Sequence, residues 1–413
     1  GRIFADGQRI NPLSNYYGGS GGSIWVTASA IAGAGEISAS ASWNKLLYFG
    51  GGGRIALCLT GDEKDFGAFA GRVYAYPGRG GDSGVIKDMA AGTVYYETKA
   101  DGEGQGRLVI DRGATDGTLA EKSVTDLILD DQEDSFNPSE IVLTNGATLR
   151  VTGGSRRDLT VGRLLVMDGK SKVILPGDEI LDLTTASVVH AGAGEGLIQI
   201  FGSTIQTTNG LTLQGGVNMQ IVSSGTIEAS AVTVASGGKI TIDTPLTVTG
   251  DLTVEGGGVI THTVNTKDTD YRMTLNVGGD LTVKSGGAIT ARAKGYPKKV
   301  GPGSNLVDWD AGCHGGRGHS SAETPAGGTG VCYGSITKPV DLGSGNGSWG
   351  LNGGGAVRIV VAGELTNDGC IDANGQSTVK QSLAGYDATP AGSVWITCAT
   401  LAGAGRIEAN AYG

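Results

Sequence analysis

The residues best suited to chemistry lie in a glycine-rich stretch of the last third of the chain. Two cysteines and two histidines, the ligand types of a tetrahedral Zn²⁺ site, occur there: Cys313, His314, His319 and Cys332. The adjacent Cys-His pair is a poor ligand spacing, so a disulfide between Cys313 and Cys332 is the favoured interpretation in a secreted protein. Closing a loop of about 20 residues would stabilise the fold by roughly 3 kcal/mol.

The same stretch has the residue types of a polysaccharide-cleaving site. Such sites use two carboxylates, assisted by a histidine or an arginine. Asp308 and Asp310 alternate on an extended segment and could point the same way, with Arg317 nearby. The Gly-Gly-Arg-Gly-His segment that ends at His319 belongs to a recurring structural pattern, however. Catalysis is therefore the minority interpretation, and we assign no catalytic residue.

Four other features each allow a functional and a structural interpretation. The carboxylate run 130–134 could bind Ca²⁺, but it lacks the glycine-rich nonapeptide of calcium-binding β-rolls, which favours a solvated turn. Trp25 and Trp395 occupy equivalent strand positions, where stacking between neighbouring strands is favoured over stacking on sugars. Asn346 begins a glycosylation sequon that matters only in a secretory route. His262 is isolated and has no evident partner.

The chain repeats its own beginning near its end. Residues 386–412 align without a gap to residues 16–42, 370 positions earlier, with 12 of 27 positions identical. After a small insertion, the match extends to residues 1–7 against 369–375. Self-similarity at a fixed spacing indicates a repeat architecture. We expect slightly more than one period of something longer, or a subunit whose two ends are interchangeable.

Two of the remaining cysteines fall inside this repeat. Cys370 and Cys398 stand where the first copy has Arg2 and Ala28, so both are present in one copy and both absent from the other. This co-occurrence hints at a second disulfide between them, and a free buried thiol at each position is an equal alternative. Cys58 makes the count odd.

Composition and charge exclude several classes of protein. Glycine accounts for 75 of 413 residues and proline for 10, without the Gly-X-Y period of collagen. The 39% of hydrophobic residues suffice for a core and argue against disorder. The net charge of −10, without a basic cluster interleaved with aromatics, argues against nucleic acid and anionic membranes as partners. No run approaches 18 apolar residues, so we expect no insertion into a membrane.

Short strands separated by glycines and turn residues fill almost the whole chain. A template of Gly-Gly, a strand and Gly-x-Ile/Val-x-Ala recurs every 31 to 37 residues or so. Between residues 126 and 290 strand patterns follow closely, so that three strands make a coil of roughly 25 residues. The predicted fold is all-β, a right-handed parallel β-helix (β-solenoid) with glycine-rich loops, and an antiparallel sandwich is the alternative.

The pattern divides the chain into four segments. They are β-helix coils at 1–125, a regular β-helix core at 126–290, a glycine-rich loop insertion at 291–352, and coils at 353–413 that form a second copy of the N-terminal template. Loops as long as this insertion usually serve a function.

Several glycine-rich segments follow one repeat pattern; they include GGRGH (315–319), GGGAVRIVVAGELTNDGCIDANG (353–375), AGSVWITCATLAGAGRIEANA (391–411) and GGGGRIALCLTG (50–61). These segments resemble the glycine-rich repeats of very large secreted bacterial β-helix proteins of the adhesin or filament type. The resemblance implies a secreted array with a structural or adhesive role, and it brings no catalytic residues.

We therefore expect a structural repeat unit of an extracellular fibre or cell-surface array, whose copies associate head-to-tail through the coil ends. About 15 coils at roughly 4.8 Å each give an axial repeat near 70 Å. The alternatives are a polysaccharide-degrading enzyme on the same fold and a glycan-binding adhesin domain without catalysis. Expected partners are further copies and extracellular glycans, and we expect no cofactor or metal.

Overall fold

A computed structural model describes most of the chain. The described residues are 1–7, 18–42, 50–62, 65–80, 87–113, 118–119, 123–166, 170–184, 187–189, 195–304, 312–316, 331–346, 351–379 and 386–411. Their regular structure consists of strands, apart from the short 3₁₀-helix Leu129–Asp131. None of the described segments forms a helix that is long and apolar enough to cross a membrane.

The chain divides into two compact units, the first of residues 1–209 and 215–217 and the second of residues 210–214 and 218–413. The strands of the first unit are β1 (Arg2–Phe4), β2 (Ser23–Ala28), β3 (Glu36–Ser38), β4 (Arg54–Leu59), β5 (Arg72–Tyr74), β6 (Arg79–Gly80), β7 (Lys87–Asp88), β8 (Thr93–Thr98), β9 (Arg107–Asp111), β10 (Thr118–Leu119), β11 (Thr125–Ile128), β12 (Glu140–Thr144), β13 (Thr148–Thr152), β14 (Asp158–Val161), β15 (Arg163–Val166), β16 (Lys172–Leu175), β17 (Ile180–Leu183), β18 (Ser187–Val189), β19 (Gly196–Phe201) and β20 (Thr204–Thr207).

The second unit continues the series of short strands. They are β21 (Leu211–Gln214), β22 (Val217–Ser223), β23 (Gly225–Ala229), β24 (Ala231–Val234), β25 (Lys239–Ile242), β26 (Leu246–Val248), β27 (Asp251–Val254), β28 (Val259–Thr261), β29 (Met273–Val277), β30 (Leu281–Val283), β31 (Ala288–Thr290), β32 (Ala356–Val361), β33 (Glu364–Asn367), β34 (Cys370–Asp372), β35 (Ser377–Val379), β36 (Tyr386–Ala388), β37 (Ser393–Thr397), β38 (Thr400–Ala402) and β39 (Arg406–Glu408).

In the second unit most strands enter three parallel sheets in turn, and one passage through the three sheets is called a circuit here. The strand orders are β21-β24-β27-β30-β33-β38, β22-β25-β28-β31-β34-β39 and β23-β26-β29-β32-β37. β35 and β36 form a separate antiparallel pair. The all-β class and the long parallel sheets are thereby confirmed, and the antiparallel sandwich does not describe this unit.

Inward side chains of the second unit form columns that run from circuit to circuit. One column consists of Ile240, Ile260, Ile289 and Ile371, which are in register and 0% exposed. A second consists of Val232, Leu252, Leu281 and Leu365, also 0% exposed. In-register pairing places each inward residue over its counterpart, so apolar residues bury one another.

The first unit contains two stacks of strands that share one sheet. β2, β4 and β8 pair in parallel, and so do β9, β12, β15 and β18. Between these two sets, β8 pairs antiparallel with β9, with Val94 opposite Val109 and Tyr95 opposite Leu108. The strand direction therefore reverses across this hairpin.

The apolar core changes to the other face of the sheet at the same hairpin. Directly opposite residues of an antiparallel pair point to the same face. Val94 lies in the core that β2, β4 and β8 bury, and Val109 packs against that core. Tyr95 points to the outer face of this first stack. Its partner Leu108 points to the same face, where it is 4% exposed and belongs to the core of the second stack. The two stacks thus bury opposite faces of a continuous sheet.

Two adjacent tyrosines of β8 cover the two cores. Tyr96 packs on the core of the first stack, with its ring edge-on to Phe66 at a centroid distance of 5.0 Å. Tyr95 points the other way and lies 5.9 Å from the ring of Phe136, beside the second stack. Each core therefore ends on a tyrosine–phenylalanine contact.

Some features of this arrangement follow the sequence prediction and others do not. Thr148 pairs with Lys172, 24 positions later, close to the predicted coil of about 25 residues. The reversal between residues 98 and 107 falls inside the segment 1–125, for which the sequence predicted glycine-rich β-helix coils. The strand pattern alone did not predict this antiparallel hairpin.

The second unit buries one titratable side chain without full hydrogen bonding. His262 is 0% exposed, its Nδ1 lies 2.8 Å from the carbonyl oxygen of Thr263, and its Nε2, beside Gly355, has no partner. Burial lowers the pKa of His262 to about 4, and the Lys294 cation acts in the same direction against the opposing effects of Thr263 and Asp243. The folded protein therefore favours the neutral imidazole.

Acidification should consequently destabilise the protein through His262. The stabilising contribution is complete above the ordinary histidine pKa of 6.5 and is lost as the pH falls through the folded pKa of about 4. This difference corresponds to about 3 kcal/mol of unfolding free energy. His262→Asn keeps a donor for the Thr263 carbonyl and removes the titration. Urea unfolding of both proteins between pH 7 and pH 4 measures the effect, and equal pH dependence in both would contradict it.

Candidate functional site

The strand pairs at the two ends of the chain have the same register. β1 pairs with β3, and β34 pairs with β39, residue for residue at the positions that align in the sequence. The central pair is Ile3 with Ile37 in one and Ile371 with Ile407 in the other. The sequence repeat is therefore also a repeat of local structure.

The backbone of the two circuits is alike at the corners as well. Gly33 and Gly403 have φ values of 102° and 100°, a conformation that a side chain would strain. Equivalent hydrogen bonds run from Ala5 N to Ser38 O at 2.8 Å and from Ala373 N to Glu408 O at 2.9 Å. The two ends of the chain thus present the same template.

Both terminal circuits leave inward apolar side chains exposed. Ile407 continues the isoleucine column beyond Ile371 but is 43% exposed, and Leu401 ends the other column at 56%. At the opposite end, Ile3 is 46% exposed although its partner Ile37 is 4% exposed. No described strand lies beyond these residues. Exposed strand edges that carry apolar side chains are surfaces for further pairing.

A cavity of about 350 Å³ opens in the first unit where its second stack begins. Part of its lining is the outer face of the first stack, where Trp25, Ala56 and Tyr95 are in register. The opposite wall comes from the second stack and consists of Leu108, Leu127, Phe136 and Leu149. The cavity, called the hairpin groove here, has a volume typical of small-molecule sites.

Polar groups of fixed orientation surround this apolar surface. Tyr95 donates a hydrogen bond to Glu97 Oε2 at 2.6 Å and accepts one from the Gly106 amide at 2.7 Å. Burial, with a smaller contribution from Glu97, raises the pKa of Tyr95, which keeps its hydroxyl protonated. Asp126 forms an ion pair with Arg150 at 2.6 Å on the rim. The hairpin groove therefore combines aromatic faces with hydrogen-bonding edges.

The two equivalent tryptophans have different surroundings. Trp395 lies under the guanidinium of Arg358, 4.9 Å from the ring centroid, and Arg358 is its partner on the neighbouring strand. This contact agrees with the predicted stacking between strands. Trp25 is 79% exposed on an edge strand, so the same interpretation is wrong for Trp25. Both tryptophans lie on edge strands, and the difference arises because the cross-strand partner of Trp395 is Arg358 whereas that of Trp25 is Ala56.

The glycine-rich stretch singled out by the sequence is described in part. Asp308, Asp310, Arg317 and His319 lie outside the described residues, so the catalytic and zinc alternatives are not tested there. Cys313 is buried at 1% exposure, whereas Cys332 is exposed. Within the described residues, no three side chains of metal-ligating type come together.

His314 and Tyr333 form the best-defined polar contact of this stretch. Their ring centroids are 4.9 Å apart, and both residues line a cavity of about 450 Å³ together with Cys332. Burial lowers the pKa of His314, while the Ala391 backbone and the Asp341 carboxylate oppose the shift. Tyr333 donates to Leu342 O at 2.5 Å, which fixes its ring. The contact orders the loop next to the last circuit.

All five cysteines are thiols in the structure. Cys370 begins β34 and Cys398 follows β37, in different sheets, so their proposed pairing stays a prediction, as does that of Cys313 with Cys332. Burial and the Asp372 carboxylate raise the pKa of Cys370. A raised thiol pKa lowers the reactive thiolate fraction.

The carboxylate run 130–134 is engaged in a turn at its first residue. Asp130 accepts hydrogen bonds from the amides of Ser155 at 3.1 Å and Arg156 at 2.8 Å, and these bonds lower its pKa. A carboxylate that accepts two amides stabilises the facing turn. This arrangement supports the structural interpretation of the run.

Sequence reasoning missed the tyrosine pair at the hairpin. Adjacent large side chains break the inward–outward alternation of a strand with one buried face. Tyr95 and Tyr96 are such a pair, and the structure covers both faces of their strand. The Tyr-Tyr dipeptide was the available signal.

No protein-family model, no curated protein and no solved structure matches the chain.

The difference in burial between two cysteines gives a direct chemical test. In the reduced native protein a maleimide should modify Cys332 faster than Cys313, on the order of tenfold or more, because buried thiols are inert. Peptide mass spectrometry measures both sites, with Cys332→Ser and Cys313→Ser as controls for the assignment. Equal rates would contradict the burial of Cys313. A Cys313–Cys332 peptide from the oxidised protein would support the predicted disulfide.

Proposed function

We propose that this chain is a structural repeat unit of an extracellular fibre or cell-surface array, and that copies associate head-to-tail through their terminal circuits. The circuits are then the coils of a right-handed parallel β-helix. Each copy contributes a stack of coils, and the association of ends extends that stack.

The proposal of a right-handed β-helix rests on the way in which successive parallel strands are connected. Parallel strands of one sheet that are joined through a crossover are right-handed in nearly all proteins. At the β8–β9 hairpin both the strand direction and the buried face reverse, and the two reversals together leave the sense of winding unchanged. One handedness therefore suits both stacks of the first unit.

The observation that carries the proposal is the matched pair of open ends. β1–β3 and β34–β39 have the same register, and both ends expose residues that are buried one circuit further in. Ile407 and Leu401 at one end and Ile3 at the other are apolar surfaces of the same kind. A second copy is the occupant that would continue these columns.

The extracellular setting rests on the resemblance to glycine-rich repeats of secreted bacterial surface proteins and on composition. A net charge of −10 keeps such a chain soluble away from its association surface. The predicted disulfides suit the same setting.

Aspartate substitutions at the open end should block assembly. Leu401→Asp or Ile407→Asp would bury a carboxylate at the junction, which costs several kcal/mol, so self-association should weaken by about 100-fold or more. Negative-stain microscopy and sedimentation velocity compare the variants with the unmodified chain. We expect filaments with a regular axial repeat from the unmodified chain and single copies from the variants.

Val264→Asp is the matched control for these substitutions. Val264 is 45% exposed, like Ile407, but lies away from the terminal circuits. This variant should assemble normally. Discrete capped particles from the unmodified chain, or filaments from Ile407→Asp at normal concentration, would contradict the proposal.

The hairpin groove favours glycan binding without cleavage as a second candidate function. A sugar ring has apolar faces and hydroxyl edges, and the groove offers an exposed indole beside polar side chains such as Arg54 and Gln132.

Trp25→Ala should then lower the affinity for a bound polysaccharide about tenfold, which corresponds to the loss of roughly 1.4 kcal/mol of stacking. Glycan-array screening followed by titration of the best ligand gives the measurement. Trp395→Ala is the control, because Arg358 already covers that ring, and it should bind normally. Equal losses in both variants, or no glycan bound by the unmodified chain, would count against this candidate.

A further inference from the structure

The arginine of the hairpin groove, Arg54, differs from five other arginines on strands of the first unit. Each of the five forms an ion pair with a carboxylate on a neighbouring strand: Arg2 and Arg72 with Glu36, Arg107 and Arg163 with Glu140, and Arg150 with Asp126. Such cross-strand pairs of opposite charge stabilise an outer sheet face. Arg54 instead lies between Ser23 of β2 and Thr93 of β8, which carry no charge.

The Arg54 side chain is exposed and has no counter-ion. Within the part of the chain that the structure describes, its guanidinium has no ion pair, side-chain hydrogen bond or ring contact. The carboxylate in the groove lining is that of Asp126, and it is already paired with Arg150 at 2.6 Å. The described lining therefore leaves the positive charge of Arg54 uncompensated.

An ordered aromatic platform lies beside this charge. The indole of Trp25 is 79% exposed, yet its N–H donates to the sulfur of Cys58, two residues beyond its cross-strand partner Ala56. The ring therefore leans across β4 and keeps most of its surface accessible. Arg54 and Ala56 share one face of β4 and lie about 7 Å apart along the strand. The apolar platform and the cation are thus neighbours on one surface.

We infer that the hairpin groove binds a uronate residue of an acidic polysaccharide, with the sugar ring on Trp25 and its carboxylate on Arg54. The inference rests on the proposed binding of glycans in this groove and specifies the class of glycan. A uronate carries an apolar ring face and a carboxylate at the edge of the same ring. A guanidinium binds a carboxylate through two parallel charge-assisted hydrogen bonds, which are stronger than bonds to a sugar hydroxyl.

The remaining polar groups of the groove suit the hydroxyl edge of such a sugar. The hydroxyls of Ser23 and Thr93 flank Arg54 on the two neighbouring strands. The amide of Gln132 donates to the Ile128 carbonyl at 3.0 Å, so its side-chain oxygen is left to accept a hydrogen bond. A cavity of about 350 Å³ is at the small end of the range for ligand sites, so the bound part of the polysaccharide is short.

Matched oligosaccharides test the contact between Arg54 and a carboxylate. Oligomers of galacturonate, glucuronate, mannuronate and guluronate are each compared with their carboxyl-reduced forms, which keep the ring and lose the charge. Titration calorimetry at physiological salt, where charges further apart than about 8 Å are screened, limits repulsion by the acidic protein as a whole. The unmodified chain should bind at least one acid form about tenfold more tightly than its reduced form.

Substitutions at Arg54 should act on this preference alone. Arg54→Gln should bind the acid and reduced forms alike, with an unchanged thermal midpoint because the guanidinium has no described partner in the protein. Arg54→Lys should restore part of the preference, since it keeps the charge without the two-pronged geometry. Trp25→Ala should weaken both forms by a similar factor, because stacking does not depend on the carboxylate.

Lys267→Gln is the control for the loss of one positive charge. Lys267 lies in the second unit, is exposed, and has no described partner, so this variant should keep the full preference. Equal affinity for acid and reduced forms in the unmodified chain, or a preference that survives Arg54→Gln, would overturn the inference and leave glycan binding intact. Absence of binding to any glycan would refute the candidate function and, with it, this inference.

Discussion

In-register pairing of parallel strands is the constraint on which the rest of the structure depends. An isoleucine of β28 is buried by isoleucines of β25 and β31, which are distant in sequence and one circuit away in space. Stability therefore comes from contacts between adjacent circuits, and any place where the series of circuits ends exposes core side chains.

Within the first unit, one series of parallel strands ends inside the chain, and its core side chains must be covered there. The parallel set β2, β4 and β8 ends at β8, and the chain then forms a hairpin whose second strand starts a new core on the opposite face. Tyr95 and Tyr96 make this possible, because a large amphipathic side chain stands on each face of the same strand. The ending of one stack is thus buried by the beginning of the next.

The strand pattern predicted the all-β class, the parallel sheets and the repeat of the ends, since each of these leaves a periodic signal. Alternation such as that at Leu275 and Val277 recurs along the chain, and glycine precedes many of the strands, so both signals can be recognised without a structure. The hairpin leaves no periodic signal: its turn is a one-time event, and its two tyrosines differ from ordinary strand residues only in size. The hairpin groove was missed for the same reason, because its walls come from residues such as Trp25 and Phe136 that only the change of face brings together.

Two ends with the same template create a hazard as well as an opportunity. If the last circuit could accept any parallel strand, its edge would pair with the first circuit of another copy or with another last circuit, and the register and number of circuits would not be defined. Within the first unit the edge of β8 does not have this freedom, because the chain itself supplies β9 as an antiparallel partner. No described strand covers β38 and β39 in this way, and Leu401 and Ile407 are 56% and 43% exposed there. The side chains that a further copy would bury are therefore the same ones that leave the last edge open to pairing without a defined register.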